Sequence, residues 1–153
     1  MKFSTLFRLE ENLNLDRKTL VILRWIAIFG QLIAINLVYF YLQLEFPVSL
    51  AYAIIFIGLV TNLFLQFNFR SIQIKDFYAS IFLIYDLVQL TLLLYLTGGI
   101  SNPFAILMIV PTIVSSTFLS IKSTINLSFI TVISLIMLTL YHFPLPSSGD
   151  LNF

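Results

Sequence analysis

The sequence predicts an all-α membrane protein, a polytopic bundle of five transmembrane helices, and three observations carry that expectation. Of 153 residues, 59% are hydrophobic and only 10% are charged. With a mean hydropathy of +1.02, the chain has too few charges to cover a soluble domain of this size. The apolar residues fall in runs of roughly twenty, the length of helix that crosses a hydrocarbon layer about 30 Å thick. Sixteen Phe and seven Tyr suit lipid-facing surfaces and headgroup boundaries.

The same composition excludes other classes. A net charge of +1 with no basic stripe argues against nucleic acid. The absence of Cys removes disulfides, thiolate metal sites and redox thiols, and no metal site is expected. The first nineteen residues are of mixed charge and lack the apolar core and cleavage site of a secretory signal.

Taken in order, residues 1–18 carry charge on one side and Phe3, Leu6, Phe7 and Leu13 on the other, which suits a cytoplasmic amphipathic segment lying on the membrane. The transmembrane sensor bundle is expected over 19–143, with spans at about 19–44, 47–69, 77–97, 103–121 and 124–143. The first is longer than the hydrocarbon requires and is expected to tilt or project. Pro47 can open the second as a first-turn proline. The polar segment RSIQIKD separates spans two and three, GGISN breaks the chain between three and four, and Ser123 is a plausible N-cap for span five. Residues 144–153 form a polar, proline-rich tail. It is expected to be periplasmic, and it reads as though a sixth span would follow.

Positive charge sets the orientation. Lys2, Arg8, Arg17, Lys18 and Arg24 precede or enter the first span, Arg70 and Lys75 lie between spans two and three, and Lys122 lies between four and five. A cytoplasmic N-terminus puts all eight Lys and Arg on the cytoplasmic side. Glu45, the GGISNPF segment and the tail then face outward. Gly30 with Ala34, and Gly58 with Asn62, are spaced four apart and could allow close helix approach.

Asp86 stands alone as an acid inside a span. A carboxylate there costs about 2.5–3.5 kcal/mol on insertion scales, so it should face the bundle interior beside a partner. Asp86, Gln89, Leu93 and Thr97 share one helix face. Arg24 enters the membrane at comparable depth and is a candidate partner, with Gln31, Asn36 and Asn62 as alternatives. The cluster reads either as a proton- or ligand-linked site or as a structural hydrogen bond between helices.

The segment Gly98-Gly99-Ile100-Ser101-Asn102-Pro103-Phe104 is the most informative stretch. The glycines permit backbone conformations closed to other residues, Asn102 suits an N-cap, and Pro103 suits the first helical position. The helix start carries a positive field and free N–H groups. With the ring of Phe104 and space over the glycines, these parts suit a quinone ring, which has two carbonyl acceptors and a flat apolar body. A tight turn with no ligand is the alternative. Pro111 should kink the fourth span, and Phe104, Leu107, Pro111, Ser115 and Phe118 fall on one face. Glu45 could approach the heptad or simply be solvated. His142, the single histidine, reads as an end-of-helix residue. Trp25, Tyr39, Tyr41, Tyr52, Tyr78 and Tyr141 sit mostly near span ends, as belt aromatics do. Neither a nucleophile-plus-base arrangement nor a phosphate-binding loop is evident, so no catalytic residue is assigned.

Leu23-Arg24-Trp25-Ile26-Ala27-Ile28-Phe29-Gly30-Gln31 resembles the first span of RegB/PrrB-type redox-sensing histidine kinases. Asp86-Leu87-Val88-Gln89-Leu90, the run from Leu93 to Phe104, and His142-Phe143-Pro144-Leu145-Pro146 are similar to later family stretches in the same order. The resemblance implies six spans followed by a cytoplasmic kinase that binds ATP and carries a phosphorylated histidine. It implies a homodimer and a cytoplasmic response regulator as partners, and ubiquinone sensed through the GGxxNPF heptad. Carried over, Gly98, Gly99, Asn102, Pro103 and Phe104 become quinone contacts, with Glu45 nearby. The kinase core and the family's redox-active cysteine have no counterpart in these residues. The expected function is the sensor region of a two-component kinase in the bacterial inner membrane. The alternative is a small transporter or channel subunit using Asp86 as a proton or ion relay.

Overall fold

The computed structural model describes residues 15–41, 43, 45–68 and 73–143. The surface segment expected over residues 1–18 lies almost wholly outside them, as does the tail over 144–153.

Helix α1 covers Arg17–Asn36 and runs into a π-helical turn at Leu37–Tyr41. Helix α2 is Val48–Asn68 and α3 is Asp76–Leu96. After a 3-10 turn at Gly99–Ser101, the chain rewinds as a 3-10 helix at Pro103–Ile109, which continues into α4, Val110–Phe118. Helix α5 is Ile121–Leu140. Four of these elements are long and apolar enough to cross a membrane; Pro103–Phe118 is shorter. The described chain is thus a membrane helix bundle, in keeping with the fold class its sequence predicts.

Helix α3 is the centre post. Half of its most apolar window is buried, against 22–28% in the other three long helices. Its residues enter all three packed clusters. Leu83 joins Leu20, Leu65 and Leu127 near one end. Leu93 and Leu96 join Ile28, Ile35 and Ile55 of α1 and α2. Leu87, Leu90 and Leu94 join Ala105, Met108 and Leu138. The outer faces carry Phe40, Phe67 and Ile106, two-thirds or more exposed, a surface suited to lipid rather than water.

The 3-10 winding of 103–109 has a local cause. Pro111 has no N–H to give to the carbonyl of Leu107, and Val110 N–H bonds that carbonyl instead. At about 2.0 Å per residue against 1.5 Å, the tighter winding also lengthens this element.

The start of α5 departs from the sequence expectation. Its N-cap is Ser120, not Ser123: the hydroxyl of Ser120 accepts from Ser123 N–H at 3.3 Å. Asp76 of α3 decides this from across the bundle. Its Oδ1 accepts from Ser120 N–H at 2.7 Å, and its Oδ2 accepts from the hydroxyls of Ser120 and Ser123.

Candidate functional site

The polar side chains within the helices meet on their inner faces as a ladder. At the first rung, Arg24, only 3% exposed, donates from Nε to Asp86 Oδ1 at 2.9 Å and from Nη2 to Thr61 Oγ1 at 2.9 Å. Its guanidinium carbon lies 5.2 Å and 5.5 Å from the ring centroids of Phe82 and Tyr85. Nη1 makes no hydrogen bond, and the aromatic faces are the electron-rich groups beside the guanidinium. One cation therefore ties α1, α2 and α3 together.

At the second rung, Gln89 Nε2 donates to Gln31 Oε1 at 2.8 Å. Gly58 makes room for that amide, since a Cβ there would lie 2.5 Å from it. Asn62 reaches Val21 O at 3.4 Å, and Asn36 accepts from Tyr52 OH at 3.0 Å. Of the four partners weighed for Asp86, the structure brings Arg24 to it.

The heptad is a built turn. Gly98 and Gly99 have φ of 101° and 59°, the left-handed region that favours glycine. Asn102 Oδ1 accepts from Phe104 N–H at 2.9 Å. Asn102 Nδ2 donates to Thr97 O at 3.0 Å and to Thr97 Oγ1 at 2.7 Å. Both amide hydrogens of this buried side chain are thereby engaged, so Asn102 shapes the turn and has none left for a ligand. Nor is the backbone of Gly99 open. A Cβ there would lie 2.5 Å from His142 Cβ and 2.8 Å from Leu138 O, so the space over this glycine is filled by the end of α5. His142 Nδ1 is 3.0 Å from Leu138 O, and Phe143 N–H donates to Tyr95 O at 2.9 Å, which sews that end to α3. Glu45 is exposed and makes no hydrogen bond or ion pair among the described residues. Its neighbour Phe46 packs on the cluster containing Leu96, which places this turn at the heptad end of the bundle.

Beside the ladder lies a cleft of about 360 Å³ between α1, α3 and the 103–118 helix. Arg24 and Asp86 line it toward one end, Gln31 along its length, and Thr97, Asn102 and Phe104 at the other. Leu107, Val110, Pro111 and Val114 form the third wall. The 3-10 winding brings 104, 107 and 110 into line every third residue. Ser115, expected on that face, is instead buried with its hydroxyl 3.1 Å from Thr124 Oγ1. Gln89, expected to share a face with Asp86, lies outside the cleft lining and turns toward α2. Gly30 and Ala34 line the cleft rather than a close helix contact, and a Cβ on Gly30 would meet nothing within 4 Å. Sequence reasoning missed Gln31 as a cleft residue. The available signal was the small series Ala27, Gly30 and Ala34 flanking it on one helix face.

The bundle and its buried ion pair define a multi-pass membrane protein with a polar interior. The chain is similar to the sensor histidine kinase RegB of Cereibacter sphaeroides, 36% identical over 129 residues that cover 84% of this chain and 28% of the relative. A second RegB sequence, from a named strain of the same organism, is 36% identical over 75 residues, covering 48% of this chain and 16% of that protein. These matches support the N-terminal membrane region of a RegB-type sensor histidine kinase, in a multi-pass protein of the inner membrane. The chain spans little more than a quarter of the first relative. No family model matches the chain, and no solved structure matches it.

Proposed function

We propose that this chain is the sensing region of a two-component, redox-responsive kinase, that it reads the state of the quinone pool, and that the GGISNPF segment is part of the reading site. One observation carries this. Asn102 and Phe104 of the heptad line one end of a membrane cleft whose volume is within the range of small-molecule sites. A ubiquinone ring and the first carbons of its tail are flat and apolar, as the cleft walls are. The heptad contributes shape, through the capped turn and the ring of Phe104.

Sensing then follows from population shift. The oxidised and reduced ligands favour different helix packings by the difference in their affinities, and a ligand that binds both packings equally transmits nothing. A homodimeric kinase portion and a cytoplasmic response regulator complete this reading, with ATP bound by the kinase portion and none of the present residues assigned to it. The N-terminus is cytoplasmic in this reading, and the heptad lies toward the periplasm. Asp86 is engaged by Arg24, which favours a structural ion pair over a proton relay.

The test is titration of the purified protein with short-tailed ubiquinone, read by quenching of Trp25, the single Trp. Saturable quenching is expected. Phe104→Ala, alone and with Asn102→Ala, is expected to weaken binding at least tenfold. Unchanged affinity in the double variant removes the heptad from the site.

A further inference from the structure

We infer that Gln31 of α1 is the hydrogen-bond donor that seats the ligand's carbonyl oxygen, in the middle of the membrane and away from the heptad turn. This rests on the reading that the cleft takes a quinone, and it assigns the polar contact to a different helix.

Three observations meet at Gln31. First, it lines the cleft, and its Oε1 accepts from Gln89, while its own N–H₂ group makes no hydrogen bond among the described residues. Within hydrocarbon an amide left without a partner costs several kcal/mol, so this group calls for an acceptor that arrives from the cleft. Second, the other donors along the cleft are taken. Both hydrogens on Asn102 Nδ2 go to Thr97, and the hydroxyl of Thr97 donates to Leu93 O at 2.8 Å. Arg24 gives Nε and Nη2 to Asp86 and Thr61, while its unpaired Nη1 is buried within the protein, out of a ligand's reach. Third, there is space beside it. Gly30 precedes Gln31 and faces open volume, with Ala27 and Ala34 one turn to either side on the cleft wall.

The occupant must therefore bring an acceptor oxygen on an otherwise apolar body. Two membrane components have that chemistry, a quinone and a phospholipid ester. Depth favours the quinone. Gln31 is fourteen residues after Arg17 and ten before Tyr41, or roughly 21 Å and 15 Å along the helix. That is well inside a layer about 30 Å thick, whereas ester carbonyls lie at its edges. A quinone ring moves through the interior and can enter from the side.

Two glutamines separate a ligand role from a structural one. Gln31→Leu and Gln89→Leu each remove the same interhelical bond, but only the first removes the donor in the cleft. With short-tailed ubiquinone and Trp25 quenching in nanodiscs, Gln31→Leu is expected to weaken binding at least tenfold. Gln89→Leu should stay within about threefold of the parent. Gly30→Leu, whose Cβ enters open space and whose branch occupies the cleft that Gly30 lines, should abolish binding while leaving the melting temperature in place. Equal effects of the two glutamine variants, or full binding in Gly30→Leu, overturn the assignment.

The outcomes also separate this inference from the reading beneath it. Loss of binding in Phe104→Ala with none in Gln31→Leu leaves quinone sensing standing and removes Gln31. Loss in Gln31→Leu with none in the heptad variants does the reverse for the heptad. No saturable quenching in the parent protein removes both. Displacement of the quinone by added phosphatidylcholine in detergent makes the phospholipid the natural occupant and overturns the choice made here.

Discussion

At the scale of single residues, the Arg24–Asp86 pair carries the largest consequence. A cation 3% exposed in a hydrocarbon setting is tolerated because Asp86, Thr61 and two aromatic rings surround it. Removing only the carboxylate leaves the guanidinium buried and unpaired, at a cost of about 3–5 kcal/mol. Asp86→Ala should therefore sharply lower the unfolding midpoint in detergent or SDS titration. The double variant Arg24→Met with Asp86→Leu should recover most of that loss, because neither charge remains to be solvated. Equal destabilisation by the single and double variants would show that the pair holds the bundle by more than mutual neutralisation. The pairing was legible in the sequence because Asp86 is an isolated acid within a span and Arg24 enters at matching depth. Gln31 was not. An amide is common between membrane helices, and its assignment to a cleft needs the three-dimensional fact that no helix packs over Gly30.

At the scale of elements, winding decides which residues meet the cleft. The sequence marks Pro111 as the place where this element departs from regular winding, and the structure puts it in the first turn of α4 after a 3-10 segment, but the α-helical period expected through it puts Ser115 on the cleft face. The chain before Pro111 is 3-10 instead, and the face becomes 104, 107 and 110. Short-range pattern cannot separate these two helices, since the choice turns on which donor satisfies Leu107 O. The α5 cap shows the same limit. Ser120 and Ser123 are both reasonable caps, and Asp76, distant in sequence, selects between them. A prediction follows for Pro111. Pro111→Ala restores an N–H for Leu107 O and permits α-winding through 103–110. Over the seven residues of the 3-10 segment that shortens the element by about 3.5 Å and turns its early residues out of line with the later ones. The regained hydrogen bond contributes about 1 kcal/mol, so stability should rise while quinone affinity falls several-fold. The chain has no Cys, so a single Leu107→Cys can be labelled without background by a lipid-soluble maleimide. Quinone should protect that site in the Pro111 protein and not in Pro111→Ala. Protection in both would detach the winding from ligand binding.

At the scale of the whole molecule, orientation determines whether the site described here can do what is proposed. The class of fold was legible because the runs of apolar residues have bilayer length, and no particular side chain is needed to see it. The sidedness rests on a different physical quantity, the free energy of moving Lys and Arg across the membrane. The heptad turn and the Glu45–Phe46 turn share one end of the bundle, where Phe46 packs near Leu96. Lys75 and the Ser120–Ser123 cap, joined through Asp76, share the other. Five charges in or before α1, two around the second connection and Lys122 all belong to that second end if the N-terminus is cytoplasmic. Reversal would place all eight on the translocated side. With the N-terminus cytoplasmic, Ser101→Cys, exposed in the heptad, should react in intact cells with a membrane-impermeant maleimide, and Lys122→Cys only after the membrane is opened. The opposite pattern would invert the bundle. The cleft would remain open to lipid at the depth of Gln31, but the heptad would face the cytoplasm, and any coupling to a cytoplasmic kinase would have to start from the other end of α3.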